Sequence, residues 1–196
     1  MGLMHIGYYT EKELAGEAFK SLGKNVQIYK NCTVVGAKNI SVGNNVRIDA
    51  FCSIVVPEDG FLEIGSYVHI GAFCHLSASN GIIINDFSGI SQRVTIYSRT
   101  DDFSGKYMTG PTVPPEYTGG YSGTVHLKRH VIVGSSSVVL PGVTIGEGTS
   151  VGALSLVNKD LEAWSIYVGV PAKRIKARSK DLLLLEQKLL DMRDKT

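Results

Sequence analysis

The chain has 196 residues, of which 43% are apolar, 19% charged and 8% aromatic, with 20 basic against 18 acidic side chains. That composition fits one globular domain or two small ones and excludes a disordered or collagen-like chain. A net charge of +2 gives no general pull toward nucleic acid or anionic membrane, no apolar run reaches the ~18 residues of a membrane span, and Met1–His5 shows no basic region ahead of an apolar stretch, so no secretion signal is expected.

The first predicted element is a helical cap over residues 1–27. Thr10-Glu11-Lys12-Glu13 fits a capping box, and Leu14, Ala18, Phe19 and Leu22 would form one apolar helical face. A repeat then takes over. Aliphatic residues recur every sixth position at Val42, Ile48 and Ile54, at Ile64, Ile70 and Leu76, and at Ile84, Ile90 and Ile96. The run resumes without gaps at Leu127, Val133, Val139, Ile145, Val151 and Val157. Four positions after each anchor the residue is usually small or β-branched, as at Val131, Ser137, Val143, Thr149 and Ser155. The step lengthens only after Val34, Ile54, Leu76 and Ile96, that is, after every third hexad. Three hexads of about 18 residues therefore close a triangle, and insertions leave from one corner, as a β-solenoid allows.

Each hexad reads as a short strand and a tight turn, with the anchor and its small partner facing inward. The 22 glycines fit turns whose geometry a Cβ would resist. Cys32, Cys52 and Cys74 fall in the small inward slot on one side, so reduced, stacked core thiols are expected, in keeping with a cytoplasmic location. Gly146-Glu147-Gly148 belongs to a hexad, and no Gly-Lys-Ser/Thr follows to make a phosphate loop. The solenoid is expected over 28–176, with a long excursion at 97–125. A terminal helix over 177–196, started near Ser179 and rich in leucine, would pack on the last coil or a neighbouring subunit.

The repeat resembles the hexapeptide-repeat acyltransferases. That resemblance implies an all-β solenoid, a left-handed parallel β-helix with short terminal α-helices, assembled as a homotrimer. Gly169-Val170-Pro171-Ala172-Lys173-Arg174-Ile175 looks like the tail of the maltose and galactoside acetyltransferases. Asp101-Asp102-Phe103-Ser104-Gly105, with Gly110-Pro111-Thr112-Val113-Pro114, looks closer to a subgroup that acts on nucleotide-linked amino sugars, among them the anthrose-pathway N-acyltransferase. The excursion sits where these enzymes carry their active-site loop.

By that resemblance the co-substrate is acetyl-CoA or another short acyl-CoA, held at Ser135, Ala153, Asn158, Lys173 and Lys176, with Arg174 adding to a basic cluster suited to CoA phosphates. No metal is implied. The acceptor side departs from the O-acetyltransferase pattern. Where that family places a histidine base, this chain has Asp101, and a family asparagine falls on Gly71. A hydroxyl needs a base of near-neutral pKa, whereas an ordinary aspartate titrates near 3.9. An amine bound in its neutral form needs less help, so the substitution favours an amino-sugar acceptor. His69 and His75 are the candidates that would restore O-transfer, His75 being on the coil before the loop, and His69, Arg99 and Asp102 are candidates for contact with the sugar or its diphosphate. His126 and His130 flank the end of the loop, and Tyr97, Tyr107, Tyr117 and Tyr121 would stack on a base or sugar or pack the loop.

Two other functions stay in view. A zinc hydrolyase would need three histidines to converge from His69, His75, His126 and His130, and their spacing does not suit it. A non-catalytic scaffold is the other, since a fold alone implies no activity. The expected activity is transfer of a short acyl group to the amine of a nucleotide-linked sugar for surface polysaccharide or O-antigen, with O-transfer to a sugar hydroxyl as the alternative. Neither a nucleic-acid partner nor membrane insertion is expected.

Overall fold

The computed structural model describes residues 7–193; the reading of Met1–His5 lies outside the described residues. Three parallel faces wind into a β-solenoid of about seven turns. The first face is six-stranded, from Ser21–Leu22 through Ile40–Val42, Leu62–Ile64, Ile82–Ile84 and Val125–Leu127 to Thr144–Ile145. The second is eight-stranded, from Gln27–Ile28 through His69–Ile70 and Gly89–Ile90 to Ser165–Val168 and Lys173–Ala177. The third runs Thr33–Val35, Ser53–Val55, His75–Ser77, Thr95–Tyr97, Val138–Val139 and Leu156–Val157.

Every anchor lands in register with the one on the next coil. On the third face Val34, Ile54, Leu76, Ile96, Val139 and Val157 form one column. From Ile54 onward that column is at most 1% exposed. The thiols stack as well: Cys32 Sγ donates to the Asp49 carbonyl, Cys52 to Gly71 and Cys74 to Ser91. A hydrogen bond with the Cys52 thiol, followed by burial, pushes the Cys32 thiol well above its ordinary value, which makes it a packing group rather than a nucleophile.

Two expectations are corrected. The N-terminal helix covers only Glu11–Ala15; its capping box forms, with Leu14 buried, but Leu22 belongs to the first solenoid strand. Most left-handed turn positions hold larger residues, Asn25, Asn45, Tyr67, Phe87 and His130 at one corner and Phe51, Phe73, Arg93, Ser136 and Leu154 at another. The aromatic ones stack from coil to coil, as Phe51 on Phe73 at 5.0 Å and Tyr67 on Phe87 at 4.7 Å, which offsets the cost of that conformation there. Many of the glycines serve a different purpose. A Cβ on Gly43 would lie 2.7 Å from the Gly65 carbonyl carbon, and one on Gly134 would lie 2.4 Å from the Ala153 nitrogen, so glycine permits successive coils to touch.

The solenoid continues past Val157, within the expected span of 28–176. Leu161 and Tyr167, 4% and 6% exposed, are the next anchors, hidden from the hexad count by a step of four. The strand Lys173–Ala177 then folds back antiparallel on Ser165–Val168 and covers the last edge of the second face. The final helix, Leu182–Arg193, is tied to the coil below by Glu186, which pairs with Arg129 and with His130 Nε2 at 2.7 Å. No helix among the described residues is long and apolar enough to cross a membrane.

Candidate active site

All the long insertions leave at the corner between the third and first faces, and the longest begins directly after the strand Thr95–Tyr97. Ser98, fully buried, turns the chain outward by donating its Oγ to the Ser77 carbonyl at 3.0 Å. Arg99–Asp101 then pairs antiparallel with Gly120–Ser122, so the excursion starts as a hairpin. Gly120 is required opposite Asp101: its φ is +153°, and a Cβ there would lie 2.0 Å from the Thr100 oxygen.

At the base of this hairpin lies a cavity of about 420 Å³ lined by Ser77, Ser79, Tyr97, Arg99, Thr100, Asp101 and Phe103. Asp101 and Arg99 are exposed to it, and neither side chain has a hydrogen-bond or ion-pair partner among the described residues. A carboxylate and a guanidinium thus face one opening, where an amine and an anionic group of one ligand would each find an opposite charge. Ser77 and Tyr97 stand side by side in register across the third face. Ser77 and Ser79 did not emerge from the residue pattern, and Phe103 entered it only as part of the loop motif, although the spacing of 20 between coils places Ser77 beside Tyr97.

The other predicted residues are spread over the molecule. His75 lies on the third face with its ring edge-on to Tyr97 at 5.7 Å, and it does not line the cavity. Asp102 is committed within the loop: its carboxylate accepts from Ser104 Oγ at 2.8 Å and from the Lys106 amide at 3.0 Å. His69 is on the second face, Nε2 2.8 Å from Asp49, whose carboxyl is held low by His69 and Arg47 against a burial effect in the other direction. The four histidines do not converge, for His126 lies on the first face and His130 at the first-to-second corner.

The donor candidates fall into two groups. Ser135 and Ala153 are stacked at the second-to-third corner, where Ser135 lines a cavity of about 260 Å³ with Gln92, Arg93 and Phe73. Lys173, Arg174 and Lys176 lie nearby along the antiparallel edge strand, all exposed. Arg174 donates from Nε to Ser165 Oγ at 2.9 Å, whereas no contact engages the ammonium groups of Lys173 and Lys176 among the described residues. Asn158 sits instead at the third-to-first corner, across the face from Ser135.

No protein-family model matches the chain. The dTDP-4-amino-4,6-dideoxy-D-glucose acyltransferase of Escherichia coli is 46% identical over 92% of this chain and 94% of its own. The chain belongs to the nucleotide-amino-sugar acyltransferase family. AntD, an N-acyltransferase from Bacillus cereus solved as a serine-to-cysteine variant with dTDP-4-amino-4,6-dideoxyglucose and coenzyme A, is 44% identical and superposes with a TM-score of 0.92 over 96% of this chain and 99% of that one. AntD has also been solved with dTDP and 3-hydroxybutyryl-CoA, and as variants of one serine and of an aspartate ten residues further on. A maltose O-acetyltransferase from Clostridium difficile, 22% identical with a TM-score of 0.51 over 83% of this chain and 72% of that one, shares the fold.

Proposed function

We propose that this protein transfers a short acyl group from CoA to the amino group of a dTDP-linked amino sugar, with Asp101 as the carboxylate that receives the amine. The observation that carries the reading is the open carboxylate of Asp101 in a cavity with no histidine in its lining. In the reaction the amine nitrogen attacks the thioester carbonyl, an N–C bond forms and the C–S bond breaks. Asp101 accepts the proton released by nitrogen, and the CoA sulfur leaves as thiolate and is protonated. A weak base suffices because the nucleophile is an amine and the leaving group a thiolate.

Ser91 and Asp101 are also ten positions apart, which matches the separation of the two substituted residues in AntD. In one chain they lie at opposite edges of the third face, Ser91 at the second-to-third corner and Asp101 in the hairpin. A site that uses both draws them from neighbouring subunits, which supports a homotrimer with active sites between subunits. The same arrangement lets Ser135 and Ala153 carry the pantetheine arm of one subunit's donor while Asn158 is supplied by the next. Lys173 and Lys176 then meet the CoA phosphates, with Arg174 held by Ser165. Arg99 takes the sugar diphosphate, and His75 and His69 contribute to the walls of the intersubunit cleft. The setting is cytoplasmic, in the supply of decorated sugars for surface polysaccharide.

Free-CoA release, followed by thiol titration, tests this with acetyl-CoA and 3-hydroxybutyryl-CoA against dTDP-4-amino-4,6-dideoxyglucose and its 4-hydroxy analogue. Turnover with the amine alone is expected, and Asp101→Asn should reduce kcat by about 10²-fold, the low end for loss of a general base. Turnover with the hydroxyl analogue would overturn the reading in favour of O-transfer.

A further inference from the structure

Two adjacent carboxylates open the long loop, and they are held in opposite ways. Asp101 is exposed and has no side-chain partner among the described residues, whereas Asp102 is partly buried and accepts four hydrogen bonds. Ser104 Oγ donates to both its oxygens, at 2.8 and 3.0 Å, and the amides of Lys106 and Tyr107 donate to Oδ2 at 3.0 and 3.4 Å. These bonds, led by that from Ser104, hold the Asp102 carboxyl below its ordinary value and keep it ionised.

The contacts continue past Tyr107 and return to Asp101. The Tyr107 ring lies where a Cβ on Gly119 would be only 2.4 Å away, so ring and backbone are in close contact. The next residue, Gly120, is the partner of Asp101 across the hairpin. Met108 closes the same circuit, its backbone N–H donating to the Tyr117 carbonyl at 2.9 Å. The backbone that aims Asp101 is therefore gripped on one side by the hairpin and on the other by a knot whose centre is the Asp102 carboxylate.

We infer that Asp102 is a positioning residue: it touches no substrate, and by tying Ser104, Lys106 and Tyr107 into one knot it fixes the direction in which Asp101 meets the sugar amine. This rests on the assignment of Asp101 as the receiving carboxylate. Displacement of a reacting group by about 1 Å can cost on the order of 10²-fold in rate. Asparagine is the informative replacement, since its Oδ1 still accepts both amides and its Nδ2 meets Ser104 Oγ as an acceptor, so it keeps the knot without the charge.

The test compares Asp102→Ala and Asp102→Asn with wild type in the CoA-release assay, with amide hydrogen exchange at Lys106 and Tyr107. Asp102→Ala should lower kcat about 10- to 100-fold, with KM for both substrates little changed, and should speed exchange at the two amides. Asp102→Asn should keep most of kcat and the protection. An Asn variant as slow as the Ala variant would show that the charge matters rather than the knot, and would overturn the inference. So would a raised KM for the nucleotide sugar at unchanged kcat, or unchanged exchange in Asp102→Ala with normal wild-type turnover. A wild type that releases no CoA from the amino sugar would instead overturn the assignment of Asp101 itself.

Discussion

Leu76→Ala tests the stacked column directly. Leu76 is fully buried on the third face between Ile54 and Ile96 in register, with Cys74 and Ala78 also buried beside it. The change removes three carbons from the core, about 2.4 kcal/mol at ~0.8 kcal/mol per methylene. The void it leaves, up to about 70 Å³, adds about 1.7 kcal/mol at ~24 cal/mol per Å³ if nothing moves. Coils above and below are held apart at ~4.8 Å by their hydrogen-bond ladders, so the void collapses poorly and the loss should approach the sum, about 4 kcal/mol. Urea unfolding followed by circular dichroism should show a lower midpoint at unchanged slope. Leu154→Ala, at a turn position 70% exposed, is the control and should move stability by less than about 0.5 kcal/mol. A loss below about 1 kcal/mol at Leu76, or one equal to the control, would mean that the column relaxes freely and that inward stacking does not hold the coils together.

Two further perturbations address the ends. Glu13 is held at about 2 by its ion pair with Lys30, then by the Thr10 cap, so its contribution is present above the unfolded value of 4.5 and lost as pH falls toward 2. The melting temperature of wild type should exceed that of Glu13→Gln at pH 7, and the difference should vanish across that window; a difference that persists at pH 2 would refute the pairing. Glu186→Ala leaves His130 and Arg129 without their carboxylate at a site where His130 is 7% exposed, and should cost about 2 kcal/mol. Trypsin should then cut at Lys180 faster than in wild type, and equal rates would show that the terminal helix is held by its leucines instead.

The hexad made the solenoid legible because burial on a stacked coil obeys a one-dimensional rule: each inward position must be aliphatic or small, and the spacing survives in the chain wherever no residue is inserted. Hence Val34 to Val157, the insertion corner and the three stacked cysteines could be read from the residues. Leu161 and Tyr167 escaped because a single shortened step breaks the period. The cap helix was overextended for a related reason, since Leu22 suits a strand as well as a helical face and only pairing with the strand Ile40–Val42 decides between them.

The site follows a different logic. The sequence singled out Asp101, Arg99 and the loop that carries them, because a departure from a familiar pattern is visible residue by residue. Only the tertiary structure separated Asp101 from Asp102, since identical side chains differ here in what surrounds them: one faces a cavity without a partner, the other is consumed by Ser104 and two amides. It alone showed the cavity that Ser77 and Tyr97 share with Asp101 and set His69 and Asn158 on other surfaces, because the winding of a coil, and not distance along the chain, decides which outward side chains meet.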